Sequence, residues 1–334
     1  MKNLSTQQKI TAGAIAAVVV IGGGYLGLST YAASVAEERI NSTLAKAGIY
    51  HSSYSWSSIS ASPFGGVIEL EGLKVHHDVS GGRGRHFISL NADRLVLEGF
   101  NTDAFPEQAS ISLEQVEIPS VNIDGFERNR LKQNLDHSPL MVLANSSGRT
   151  SLVPFKLQLE WVLDGEELAL DWSTEQPDLF RAEGHQLITG PLTQLRAMVT
   201  PTNLTPSMTA IGSLIGLGSQ LGLREVELEI QDLGAIERAN QLRARYDIAG
   251  GKAENKDQSD AAFLTQNRSG CENGLQAIFT NSDACERLAE FLSAERSSIH
   301  FSAEGERSLT LSELFQLDHR NADYLKSEFS PEIN

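Results

Sequence analysis

Ile10 to Ala32 runs for 23 residues without one acidic or basic side chain, close to the ~20 apolar residues a helix needs to cross the hydrocarbon core of a bilayer. Lys2 and Lys9 precede this stretch, while Glu37 and Glu38 follow it beside Arg39. The positive-inside rule then leaves the short N-terminus in the cytoplasm and sends everything after about residue 33 outward. Tyr25 and Tyr31 stand where an interfacial aromatic belt forms, and Gly23 and Gly27 make a small-xxx-small face on which two such helices can touch. A second reading is a cleaved signal peptide, with a charged start, an apolar stretch and small residues at Ser34 and Ala36. Both readings export the rest of the chain.

The two cysteines fit an exported chain. Cys271 and Cys285 lie fourteen residues apart, and in an oxidising compartment such a pair closes a loop worth about 3 kcal/mol in the chain-entropy picture. They form no CxxC motif, and two cysteines cannot build an all-Cys metal cage. Charge narrows the partners. Removing Lys2 and Lys9 from the 27 cations leaves 25 against 43 anions, a balance of −18. A polyanionic nucleic acid and an anionic lipid surface are both repelled by such a chain.

Past the apolar segment, Ala36, Ile40, Leu44 and Ala47 recur at helical spacing and Gly48 can end the helix. The period then changes to two. Tyr50–Ser60, Val67–His76, Phe87–Leu97, Ser110–Ile118, Leu152–Leu163, Glu167–Trp172, Leu192–Thr200, Glu225–Gln231 and Ser298–Ser302 alternate as strands. Asp164-Gly165 marks a hairpin, and the phase change across Gly72 marks a bulge. In Lys156–Trp161 the residues Lys156, Gln158 and Glu160 alternate with Leu157, Leu159 and Trp161, so one face is wet and the other apolar. Gly234–Tyr246 reads as a helix, Gly250–Asp260 as a polar linker, Leu288–Leu292 as a helix near Cys285, Leu309–Leu317 as a short amphipathic segment, and the tail after His319 as frayed.

The expected class is therefore α+β, mainly β: an N-terminal transmembrane helix, then a curved antiparallel sheet with a few packed helices. The expected divisions are a cytoplasmic tip and spanning helix over 1–35, a juxtamembrane helix over 36–48, and a sheet domain over 49–250 with helices near 204–222 and 234–246. A C-terminal helix and strand subdomain over 251–334 carries the Cys271–Cys285 pair.

Chemical motifs are missing. No Walker loop, HExxH, GxSxG or kinase signature occurs. Gly216-Leu217-Gly218 with Gly222 has the spacing GxGxxxG, which is not the dinucleotide fingerprint. His76, His77 and Asp78 are adjacent, but neighbours on a strand point to opposite faces and cannot share one metal without a bulge. Glu69 and Glu71 share a face, as a hydrolytic carboxylate pair would, and as ordinary solvated charge also does. No catalytic residue, metal or cofactor is expected.

One anomaly remains. Between Arg196 and Arg224 no residue is charged, and Met208, Ile211, Leu214, Ile215 and Leu221 form a helical stripe among glycines. It reads as a core helix on the sheet, as one wall of a groove, or as a helix lying on the bilayer surface. In the second case an apolar concave sheet face and this glycine-rich helix hold an acyl chain or a hydrophobic peptide.

The order of an N-terminal anchor, then "YSWSSISASPFGGVIELEGLKVHH", then "ISLNADRLVLEGF" resembles the opening of AsmA-like and YdgA-like bacterial envelope proteins. The segments "VELEIQDLGAIERANQLRARY" and "FLSAERSSIHFSAEGERSLTLSELFQL" have the same character. The resemblance implies one inner-membrane helix, a periplasmic part rich in curved antiparallel sheet, and a role in envelope maintenance or phospholipid traffic through a greasy groove. The expected function is a non-enzymatic, inner-membrane-anchored periplasmic protein that binds lipid or another hydrophobic ligand. Its rivals are an assembly factor that holds a membrane-protein partner and an envelope hydrolase.

Overall fold

A computed structural model describes residues 29–42, 44–45, 53–63, 66–78, 86–99, 106–117, 121–123, 148, 154–198, 217, 219–310, 313 and 322–334. Within them twelve strands form one antiparallel sheet, mainly as a meander. The strands are β1 (Tyr54–Ser55), β2 (Ser58–Ala61), β3 (Val67–Asp78), β4 (His86–Glu98), β5 (Gln108–Val116), β6 (Val121–Ile123), β7 (Phe155–Asp164), β8 (Glu167–Gln176), β9 (Phe180–Thr189), β10 (Gly222–Asp232), β11 (Ser298–Thr310) and β12 (Glu332–Ile333). The sheet runs β1-β3-β4-β5-β7-β8-β9-β10-β11-β12, with β2 also on β3 and β6 also on β4. A mainly β fold with an open sheet is as the alternation demands.

Helices sit at the ends. Residues 29–42 are helical and are termed α1; its Ser29 Oγ donates to Ala61 O at 3.1 Å, and Tyr54 Oη donates to its Asn41 Oδ1 at 3.0 Å. The helix thus lies along β1 and β2, with Ala36 buried. It runs on through residue 35, where the expected spanning segment gives way to the juxtamembrane helix, as one continuous helix. α2 (Leu192–Met198) follows β9; α3 (Ala235–Ala249), α4 (Lys256–Gly274) and α5 (Ala284–Leu292) are inserted between β10 and β11; α6 (Ala322–Phe329) precedes β12. Cys271 on α4 and Cys285 on α5 form a disulfide with Cα atoms 5.4 Å apart. Among the described residues no helix is long and apolar enough to cross a membrane. Most of Ile10–Ala32, including Gly23 and Gly27, lies outside them.

Five local expectations change. Leu192–Thr200, read as a strand, is helical over Leu192–Met198 because Pro191 supplies a helical φ at the first turn and Gly190, at φ 140°, turns the chain into it. The polar linker Gly250–Asp260 instead contains the start of α4, where Asn255 Oδ1 accepts from Gln258 N at 2.9 Å. The tail read as frayed holds α6 and β12, and Gly222, assigned to a helix, opens β10.

The fifth concerns Gly72. The pairs Glu71↔Arg94 and Leu73↔Ala92 keep one register across it, so no residue is inserted in the β3–β4 ladder. What changes is the apolar parity, from Ile68 and Leu70 to Leu73 and Val75 on β3. On β4 it changes from Leu95 and Leu97 to Leu90 and Ala92. Gly72 (φ 59°) and Gln115 (φ 51°) both take left-handed backbone. Asp93 lies between them in register, opposite Gly72 and opposite Gln115. The result is a crease across three strands that brings both parities onto one cluster, where Leu73, Ala92 and Val116 are buried against Trp56, Val75, Leu90, Leu95, Leu113 and Phe155.

Candidate functional site

The sheet register sorts side chains into two unlike faces. One row crosses ten strands in succession: Ala61, Ile68, Leu97, Ile111, Leu159, Trp172, Gly184, Leu228, Phe301 and Ile333. Not one is polar. At ~4.8 Å between strands, the part from Ile68 to Phe301 spans about 34 Å. The row is closed at both ends. Phe301 and Ile333 join Phe279, Ala284, Phe291 and Ile299 under α5, and Ala61 lies buried beside the start of α1. Between the ends, Ile68, Leu97, Ile111, Leu159, Trp172 and Leu228 are half-buried and outside every packed cluster among the described residues.

Within this row Gly184 has a particular job. A Cβ built on it would stand 2.5 Å from Cε2 and Nε1 of Trp172, its cross-strand partner. The indole therefore lies flat over the β9 backbone, and only glycine leaves room for it.

The opposite face is polar and hollowed. A trough of about 530 Å³ is lined on this face by Ser110, Ser112, Gln158, Glu160, Asp171, Ser173, Arg181, Glu183, His185, Glu227, Glu229 and His300. His185 Nδ1 and Asp171 Oδ1 are 2.7 Å apart, and Ser173 Oγ donates to Gln158 Oε1 at 3.1 Å. Glu183 pairs with Arg181. The register sets Glu160 opposite Asp171 and Glu183 opposite Glu229, two like-charge cross-strand pairs. An apolar concave face was the expectation from sequence; the hollow described here is lined by side chains of the wet side.

Of the expected ligand residues, Leu221 is described. It is half-buried just before β10, and a Cβ on Gly190 would lie 3.3 Å from its Cδ2. Met208, Ile211, Leu214 and Ile215 lie outside the described residues. Glu69 and Glu71 are on the polar face and already engaged. Arg94 Nε donates to Glu69, and Ser58 Oγ donates to Glu71 Oε2 at 2.7 Å. His76 and His77 are consecutive in β3, opposite Ser89 and Ile88. Among the described residues no group of three or more His, Cys, Asp or Glu could hold a metal ion.

No protein-family model matches this chain, and no curated protein matches its sequence.

Proposed function

We propose that this is a membrane-anchored, periplasm-facing bacterial envelope protein that binds the acyl part of a lipid along the apolar row of its sheet. It belongs, on this reading, with AsmA-like and YdgA-like proteins in envelope maintenance or lipid transport, and carries out no chemistry of its own. The supporting observation is the row itself: its middle, from Ile68 to Leu228, is apolar without interruption and, among the described residues, under no packed cluster. That stretch crosses about 29 Å, more than the ~15 Å that one leaflet's hydrocarbon occupies. The position also fits. Ser29 closes the outer end of the Ile10–Ala32 segment and bonds Ala61, the first residue of the row, so a spanning segment delivers the apolar row to the bilayer surface. The disulfide suits an oxidising compartment.

A second reading, an assembly factor holding a membrane-protein partner, is favoured by the trough, whose acidic lining suits a cationic protein segment. One experiment separates them. A benzophenone amino acid is placed at Leu159, on the row, or at Gln158, in the trough, in the full chain expressed in a Gram-negative bacterium. A lipid adduct at Leu159 with none at Gln158 is the expected result. A protein adduct at Gln158 without lipid at Leu159 replaces the first reading by the second, and no adduct at either overturns both.

A further inference from the structure

Residues 331–334 lie in a slot that reads an extended chain from both of its edges. On one edge, β12 pairs with β11 as Phe301↔Ile333 and Ser302↔Glu332. His300 N donates to Asn334 O at 2.9 Å, and Asn334 N donates to His300 O at 2.7 Å. On the other edge a side chain plays the part of a strand: Asn281 Nδ2 donates to Ile333 O at 2.6 Å, and Ile333 N donates to Asn281 Oδ1 at 3.2 Å. Thr280 N donates to Pro331 O at 2.8 Å.

Side chains are read as well. Ile333 is 5% exposed and enters a pocket of Phe279, Ala284, Phe291 and Ile299. Glu332 points away from that pocket, is half-buried, and its Oε1 accepts from Thr280 Oγ1 at 3.1 Å. Main-chain bonds on both edges with a single apolar pocket is the pattern of peptide recognition by strand addition, in which backbone bonds give affinity and alternate pockets give selectivity.

The walls also carry bonds of their own. Asn281 Nδ2 also donates to Asp283 Oδ1 at 3.0 Å, Arg287 Nη2 holds Asp283 at 2.7 Å, and Cys285 ties the same turn to α4. An ordinary edge strand leaves its outer N–H and C=O to water; this one does not.

We infer that the groove between β11 and residues 279–284 is a peptide-recognition site, and that residues 331–334 are its ligand in cis. The class of ligand in trans is an extended segment of another protein with an aliphatic residue at the position of Ile333 and, before it, a side chain that accepts a hydrogen bond from Thr280.

The test uses the full chain carrying Ile333→Asp, which puts a charge into the pocket and ejects the segment. A fluorescent peptide of residues 330–334 is titrated by anisotropy. Saturable binding is expected, weakened at least tenfold by adding Asn281→Ala or by Asp in place of the peptide's Ile, and little changed by Gln in place of its Glu. Absence of binding, or binding indifferent to both changes, overturns the site. If the Ile333→Asp chain does not fold, hydrogen exchange on the unmodified chain decides. Excess peptide should speed exchange at Ile333 and Asn334 by competition, and unchanged rates overturn the inference.

Discussion

The indole of Trp172 lies over the backbone of Gly184, with no room between them for even one methyl group. That contact places the largest side chain of the apolar row on a glycine and sets the depth of the row at its middle. Gly184→Ala should force the indole off β9 and cost about 1–3 kcal/mol by overpacking. Urea unfolding of the full chain in detergent measures it; a cost under about 0.5 kcal/mol would show that the ring is not held there. If the row binds acyl chains, the same substitution lowers the lipid adduct at Leu159.

The disulfide carries a separate expectation. Replacing Cys271 and Cys285 by Ser frees α4 from α5 and should lower Tm, with about 3 kcal/mol at stake for a loop of this length. Thermal unfolding with and without reductant checks it. The parent should fall to the level of the double variant on reduction, and the double variant should not respond.

The crease offers a cycle. A methyl group at Gly72 meets Ser57 Oγ at 2.8 Å and also needs a left-handed φ of 59°. Gly72→Ala should therefore destabilise by about 1–2 kcal/mol. Adding Ser57→Ala should recover only part of the loss, since the clash is relieved and the φ strain stays. Full recovery in chemical denaturation would mean that the backbone at residue 72 carries no strain.

Acid should weaken two joints. Arg287, by hydrogen bond and charge, holds the Asp283 carboxyl below its ordinary value, with help from its own backbone and Asn281. The Thr310 backbone N–H and hydroxyl, then Arg307, do the same for Glu313. Both groups have a folded-state pKa below the unfolded one, so their stabilisation is complete above the usual carboxylate range and is lost as pH falls through that range and below it. Asp283→Asn should lower Tm at about pH 7 and by progressively less as pH approaches 3. A deficit that does not change with pH would contradict this. Because Asp283 also positions Asn281, the protection of the Ile333 amide, relative to the intrinsic exchange rate at each pH, should fall over the same interval.

Much of the sheet is legible in the sequence, since half-buried strands must alternate. Lys156, Gln158 and Glu160 against Leu157, Leu159 and Trp161 already state which side of β7 is wet, and the structure keeps that division from β2 to β12. Asp164-Gly165 likewise gives the β7–β8 hairpin, whose Gly165 has φ 62°. Of the long strands, β9 escaped. The row-facing positions at its middle are Ala182, Gly184 and Gln186, too small or too polar to register as apolar alternation, and Trp172 of the neighbouring strand fills the space above Gly184. β12 escaped for a related reason: two residues have no period, and Asn281 and the Ile333 pocket that hold them come from elsewhere in the chain.

By itself, the sequence determined whatever depends on neighbours along the chain: an apolar N-terminal segment, strands with one wet face, a hairpin at a glycine and a cysteine pair within loop-closing reach. Only the tertiary structure decided what depends on partners distant in sequence. Those are the register that aligns ten residues into one apolar row, the hollow on the polar face, the crease through Gly72, Asp93 and Gln115, and the slot that holds residues 331–334. Local alternation fixes which side a residue points to, whereas register and curvature come from the summed pairing of strands, which no single segment contains.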